Sequence, residues 1–163
     1  MQNKIRIGIG YDIHRLAPGR QLKLGGITIP SAQGLIGWSD ADILTHAIID
    51  ALLGAAALGD IGTYFPSGDP KYKEISSLIL LRQVTDMLGK RGYRVSNVDA
   101  TIVAEQPRLR DYIDKMRDKL SQTMGINLDQ VNVKANTSEQ LGFAGRQEGM
   151  VTWATALIEE ISD

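Results

Sequence analysis

The sequence predicts one α/β (α+β) domain, and three observations predict it. Lys4 to Tyr11 alternates with period two, placing Ile5, Ile7, Ile9 and Tyr11 on one side of a strand. Ile43, Ala47, Ile48, Ala51, Leu52 and Ala55 recur at helical spacing and predict a buried helical stripe. No repeat, low-complexity tract or linker divides the 163 residues, a length that supports a single core spanning 1–163.

Composition narrows the function. Hydrophobic residues at 43% and charged residues at 23% are ordinary globular values. The formal net charge of −1 offers no basic field to nucleic acid or to a membrane surface. Without cysteine there is neither a disulfide nor a thiolate metal site, so any metal falls to His, Asp and Glu. Absent cysteine also fits a reducing compartment. Met1 leads directly into the first strand pattern, with no basic-then-apolar leader. No apolar run approaches the ~20 residues of a membrane span. The expectation is a soluble cytoplasmic protein.

The first strand ends in Gly10-Tyr11-Asp12-Ile13-His14-Arg15. If the extended geometry continues, Asp12 and His14 project from one face. A carboxylate beside an imidazole supplies two of the three protein ligands of a typical catalytic zinc site. His46, the chain's other histidine, is the candidate third. The competing reading has Asp12 capping a turn and His14 on the surface.

Leu22-Lys23-Leu24-Gly25-Gly26-Ile27-Thr28-Ile29 predicts a hairpin around Gly-Gly, stopped by Pro30. Ser31 to Trp38 is read as a loop. Ser39-Asp40-Ala41-Asp42 supplies cap residues for a helix to about Leu58. Asp42, His46 and Asp50 are four apart and share a face. That face is either solvated, or it carries His46 into a site with a neighbouring carboxylate orienting the ring. Gly59 to Pro70, rich in Gly, Pro and Asp, predicts a long mobile loop with no regular element. A serine-capped helix over about Ser77 to Lys90 follows, then a strand over Asn97 to Val103. Pro107 fits the first turn of a helix from Arg108 to Met124, closed by Gly125. Its charged residues read as a solvated face rather than a nucleic-acid surface. Val131 to Ala135 is a strand, and Asn136-Thr137-Ser138-Glu139 is a polar turn able to cap a helix or hold a phosphate. Gly142 to Arg146 reads as a tight loop, and Met150 to Ile161 suits helix or strand equally by pattern.

Taken together, these segments resemble the 2-C-methyl-D-erythritol 2,4-cyclodiphosphate synthase family of the non-mevalonate isoprenoid pathway. The resemblance lies in Gly10-Tyr11-Asp12-Ile13-His14-Arg15-Leu16, in Ser39-Asp40-Ala41-Asp42 through His46 to Asp60-Ile61-Gly62, and in Asn132-Val133-Lys134-Ala135 with Glu139-Gln140-Leu141-Gly142-Phe143 and Gly145-Arg146-Gln147-Glu148-Gly149. Each motif is short, but the ordered set covers essentially the whole chain. It implies a mixed four-stranded sheet with helices on one face plus a β-hairpin, with Met150 to Ile161 a strand. It also implies a homotrimer with active sites between subunits. The implied reaction is metal-assisted intramolecular phosphoryl transfer within a cytidine-diphosphate methylerythritol phosphate, giving a cyclic diphosphate and CMP.

By the same resemblance Asp12, His14 and His46 hold a divalent metal, usually zinc, and Glu139 holds magnesium or manganese on the diphosphate. Thr137 supplies a hydroxyl to the transition state. The implied substrate-binding segments are Asp12-Ile13-His14, Trp38-Ser39, Asp60-Ile61-Gly62, Phe65-Pro66-Ser67-Gly68-Asp69, Ala104-Glu105-Gln106-Pro107-Arg108-Leu109-Arg110 and Asn136-Thr137-Ser138-Glu139, joined by Phe143 and Arg146. The cytosine falls to the segment from Ala104 to Arg110, and a phosphate to Arg146. A central cavity near Tyr11, Arg146 and Glu148 is implied to admit an isoprenoid diphosphate.

Two positions depart from the family pattern: Asn136 replaces a usual threonine, and Trp38 stands where the family usually has histidine. The second change raises the alternative of a catalytically weakened trimer that binds metal and diphosphate. A metal-dependent phosphohydrolase is a third reading. If the family histidine donates to the phosphate under attack, Trp38→His should raise turnover.

Overall fold

The computed structural model describes residues 4–161. In chain order the elements are β1 (Ile5–Pro18), β2 (Leu22–Leu24), β3 (Ile27–Ile29), β4 (Gln33–Leu35), α1 (Ile43–Ala55), α2 (Ile61–Tyr64), α3 (Ser77–Gly89), β5 (Tyr93–Val103), α4 (Ile113–Met124), β6 (Val131–Asn136), α5 (Gly142–Gly145) and β7 (Gly149–Glu160). The main sheet has the order β4-β1-β7-β5-β6, and β2-β3 form a separate hairpin. β7 is antiparallel to both β1 and β5, while β5 and β6 are parallel. A parallel pair needs a crossover, and α4 supplies it. The four strands β1-β7-β5-β6 match the expected mixed sheet. The fifth, β4, lies in the stretch read as a loop. It pairs Gln33 to Leu35 with Leu16 to Pro18, three residues too few to leave a periodic signal.

The stretch from Met150 to Ile161, ambiguous by pattern, falls in the central strand β7, which spans Gly149–Glu160. Other expectations are corrected. Gly59 to Pro70 contains α2, because the Asp60 carboxylate caps its start, accepting from Thr63 N and Thr63 Oγ1 at 2.9 Å each. The third long helix begins at Ile113, after a 3₁₀ turn over Arg110–Tyr112, so Pro107 lies outside it. The serine before α3 makes no side-chain cap. Instead the Asp40 carboxylate accepts Ser77 N–H at 2.9 Å from 37 residues away. Gly142 to Gly145 forms the short helix α5 rather than a loop.

The helices cover one face of the sheet. α1 is buried on nearly all sides, between the sheet and α3, rather than along one stripe. Its N-cap, Asp42, is fully buried and fully satisfied. Oδ1 accepts Gly25 N and Thr45 N, and Oδ2 accepts Gly26 N and Thr45 Oγ1. The two glycines have φ of 58° and 73°, the left-handed pair that a tight hairpin turn needs. One carboxylate thus docks the β2–β3 hairpin onto the start of α1.

β1 turns Gly8 and Gly10, not its apolar row, toward α1. A Cβ on Gly8 would stand 2.0 Å from Ala51 O, and one on Gly10 would stand 1.8 Å from Ala47 O. Only glycine lets the helix backbone come this close. The apolar row Ile5, Ile7, Ile9, Tyr11 and Ile13 lies on the sheet's other face with Trp153, and all six are at least 41% exposed.

Candidate metal centre

The close approach of α1 to β1 brings His46 beside Asp12. Asp12 Oδ2 is 2.9 Å from His46 Nδ1 and 3.3 Å from His14 Nε2. One donor atom from each of the three residues lies within 4.8 Å of the others. The strand geometry that placed Asp12 and His14 on one face therefore holds. His46 is buried, which removes the solvated-face reading of its helix.

Proton counting shows what these donors can do. His14 Nδ1 contacts the carbonyl of Ile36, a pure acceptor, so Nδ1 carries a proton and in the neutral ring Nε2 is bare. Nε2 is the atom turned to Asp12. On His46, Nε2 faces the hydroxyls of Ser77 at 2.7 Å and Ser39 at 3.2 Å, leaving Nδ1 toward Asp12. Burial pushes the Asp12 carboxyl up, but hydrogen bonds and charge from His14 and His46 outweigh it and hold the group at about 2. Burial lowers His14, and its contacts with Asp12 and Ile36 more than reverse this, raising it above its ordinary value. An ionised carboxylate and two imidazole nitrogens, each fixed at its far side, form a donor set that suits a divalent cation.

The groups that orient His46 are not the expected neighbours on its helix. Asp42 is committed to the hairpin and helix cap. Asp50 accepts Ile61 N–H at 2.7 Å, fixing the start of α2. Ser77 takes the orienting role from 31 residues away, where no local pattern in the sequence points to it.

A pocket of about 180 Å³ opens over the three donors. Its wall includes Trp38, Ser39, Ile61, Gly62, Phe65 and Ser67 from the expected segments, and Tyr72 and Leu80, which sequence reasoning missed. Asp60, Pro66, Gly68 and Asp69 belong to the same segments but do not line it. Trp38 is tied into this wall: its indole N–H donates to Asp69 O at 2.9 Å, and its own carbonyl accepts Glu74 N–H at 2.9 Å.

A second pocket, about 340 Å³, is lined by Ala104, Glu105, Pro107, Arg108, Leu109 and Arg110 with Asn136 and Thr137. The two expected segments thus meet; Ile113 and Ala135 complete the wall. Gln106 instead borders a separate groove of about 640 Å³ with Pro107 and Gln147. Glu105 Oε1 accepts Ser138 N, Ser138 Oγ and Gln140 N, so its carboxylate shapes the turn that presents Thr137 and Glu139. Thr137 Oγ1 donates to Glu139 Oε1 at 3.1 Å. Glu139 is not among the residues that converge with Asp12, His14 and His46. The two pockets share no lining residue within one chain. Ile13 and Phe143 face a further pocket of about 180 Å³ beside His14, and the Arg146 guanidinium pairs with Glu148 at 2.8 Å.

The family model described as the YgbB family matches residues 5–159. The chain belongs to the YgbB family. Among similar YgbB-type proteins is the 2-C-methyl-D-erythritol 2,4-cyclodiphosphate synthase of Dehalococcoides mccartyi (strain CBDB1). It is 68% identical over 156 residues, covering 96% of this chain and 99% of that protein. The synthase of Thermosynechococcus vestitus is 56% identical over 156 residues, covering 96% of this chain and 97% of that one. The fold is similar to that of the CDP complex of IspF from Plasmodium falciparum, with a TM-score of 0.86 and 33% identity over 99% of this chain and all of that one. It is also similar to the bifunctional IspDF of Campylobacter jejuni, with a TM-score of 0.95 and 37% identity; there the match covers 99% of this chain but 44% of the longer one. Among the described residues no helix is long and apolar enough to cross a membrane.

Proposed function

We propose that this chain, as one catalytic domain, converts 4-diphosphocytidyl-2-C-methyl-D-erythritol 2-phosphate to 2-C-methyl-D-erythritol 2,4-cyclodiphosphate and CMP in the non-mevalonate isoprenoid pathway of the cytoplasm. The observation that carries the reading is the convergence of Asp12, His14 and His46 in a chain that synthases of this family match at 68% identity over nearly its full length. An oxygen of the 2-phosphate attacks the β-phosphorus. The bond from that phosphorus to the bridging oxygen breaks, and CMP leaves with the oxygen. No water is the nucleophile, so the protein's task is to align two anionic groups and neutralise them. A metal held by Asp12, His14 and His46, which we assign as zinc, supplies Lewis-acid charge to a phosphate oxygen.

In this proposal Glu139 holds magnesium or manganese on the diphosphate, and the Thr137 hydroxyl, already hydrogen-bonded to Glu139, steadies the phosphate in transit. The pocket from Ala104 to Arg110 takes the cytosine, and the pocket wall at Ile61, Gly62 and Phe65 takes the sugar side. Arg146 binds a phosphate. Because the metal pocket and the cytosine pocket are separate within one chain, we propose a homotrimer in which they meet across subunits. The exposed apolar row from Ile5 to Ile13 supports burial of that sheet face. An isoprenoid diphosphate near Tyr11, Arg146 and Glu148 is retained as a further ligand.

Incubation with the cytidylylated substrate is expected to yield CMP and cyclic diphosphate from a protein sedimenting as a trimer. Linear products would favour the phosphohydrolase, and a fully active monomer would remove the shared site. The weakened-binder alternative is not favoured, since the three donors are intact and the relatives are synthases.

Trp38→His now has a two-part expectation. The indole N–H is committed to Asp69 O, so the donor toward the pocket that a histidine would add comes at the loss of that tether. We expect kcat to rise and KM to rise with it, each several-fold, at unchanged metal content. An unchanged KM would show that the tether does not hold the substrate loop.

A further inference from the structure

We propose that Asp40 and Ser77 are positioning residues that lock His46 into the tautomer able to capture the metal. The inference rests on the metal-site reading above and adds residues outside the donor set. Ser77 is fully buried and Asp40 is nearly so. Ser77 Oγ sits between two partners, making a short contact with Asp40 Oδ1 and lying 2.7 Å from His46 Nε2.

The hydroxyl has one proton to place. Ser77 Oγ donates in its short contact with Asp40 Oδ1, so that proton goes to Asp40. Ser77 Oγ then offers His46 only lone pairs, and Nε2 must carry the ring proton. Nδ1 is left bare. In that neutral tautomer Nδ1 points its lone pair at Asp12 Oδ2, 2.9 Å away, so a cation can take the place that a proton holds between them when the ring is charged. Ser39 Oγ also reaches Nε2, and as a donor it would favour the opposite tautomer. Its contact is 3.2 Å and shows no carboxylate behind it, so the shorter, charge-backed Ser77 contact wins.

Asp40 is itself held from several directions. Its Oδ2 accepts Ser77 N–H at 2.9 Å, its Oδ1 accepts Asp42 N–H at 3.3 Å, and its own N–H donates to Ile75 O at 3.1 Å. The same residue therefore ties the segment before α1 to the start of α3 and sets the ring between them. The cap and the relay share Asp40 and Ser77, so the helix junction itself fixes the acceptor that meets the His46 ring.

Two variants separate this role from plain structural support. Ser77→Ala removes the acceptor. Asp40→Asn keeps a side-chain oxygen for Ser77 N–H, but its amide can donate to Ser77 Oγ. The hydroxyl proton is then free to turn to His46 Nε2, which moves the ring proton to Nδ1. Zinc affinity, measured by chelator competition on protein whose fold is checked by circular dichroism, is expected to fall 10–100-fold in each variant. Ser39→Ala should lose less. Nitrogen-detected NMR of the histidine rings in metal-free wild-type protein, above the histidine titration, should show the proton on His46 Nε2. In Asp40→Asn it should move to Nδ1.

Unchanged zinc affinity in both folded variants, or a bare His46 Nε2 in the wild type, would overturn the relay whatever the enzyme's activity. Zinc binding that weakens in the variants, in a wild-type protein that forms no cyclic product, would sustain the relay and reject the proposed reaction.

Discussion

His46→Ala is expected to lower zinc content and activity together while the chain remains folded. The substitution removes one of three donors, and two protein ligands do not make the closed face of a catalytic zinc site. Turnover should fall by at least the ~10²–10³ typical of losing one well-aimed electrostatic group, because the metal is lost along with the side chain. Folding should survive, since α1 is held elsewhere: by the Asp42 cap, by the hairpin docked on it, and by burial of nearly every one of its side chains. The loss also removes one of the two imidazoles that hold the Asp12 carboxyl down, so that group should titrate higher than in the parent protein. Elemental analysis beside a rate assay decides the matter. Full zinc occupancy in the folded variant would exclude His46 from the site.

Gly10→Ala should be the most damaging single methyl in the chain. The new Cβ would lie 1.8 Å from Ala47 O and 2.7 Å from Ala51 N, where ordinary contact begins at 3.4 Å. Both neighbours are helix backbone, so no rotamer change relieves the clash. α1 must shift away from β1, and every side chain packed between them loses contact. Overpacking typically costs 1–3 kcal/mol, and a rigid backbone neighbour puts this site at about 3 kcal/mol or more. For a chain of this size that is roughly a 6–12 °C fall in melting temperature. The same shift carries His46 away from Asp12, so zinc affinity should drop as well. Gly89→Ala is the internal control. It lies in α3 with nothing within 4 Å of its Cβ, and should be neutral or slightly stabilising. Equal melting temperatures for Gly10→Ala and the parent would mean that the helix approach is not set by this glycine.

The cores of the long elements were legible because their signals are local. Alternation over Lys4 to Tyr11 gave β1, and apolar spacing at 3.6 gave α1 and α3. The boundaries were less secure wherever the deciding group was distant. Ser76 and Ser77 look like a helix cap, yet Asp40 performs that task, and Ser77 serves His46 instead. Pro107 looks like a first-turn proline, yet α4 begins six residues later. Asp60 shows why a Gly- and Pro-rich stretch can still contain a helical turn: one side-chain cap suffices to start it.

The sequence by itself determined the donor inventory. Two histidines and no cysteine leave few ways to bind a metal, and the spacing of Asp12 and His14 puts both on one face of a strand. Tertiary structure alone decided how the third donor arrives and which of its nitrogens faces Asp12. Gly8 and Gly10 are readable as letters, but only the packed helix shows that they make room for His46. The face of α1 that its pattern left undecided between solvent and site is buried at Asp42 and His46, and the apolar row that the period of β1 put on one side is exposed in the single chain. Strand and helix periods specify which residues share a face. They do not specify what that face meets, because that depends on contacts made across 30 or more residues, such as those of His46 with Asp12 and Ser77.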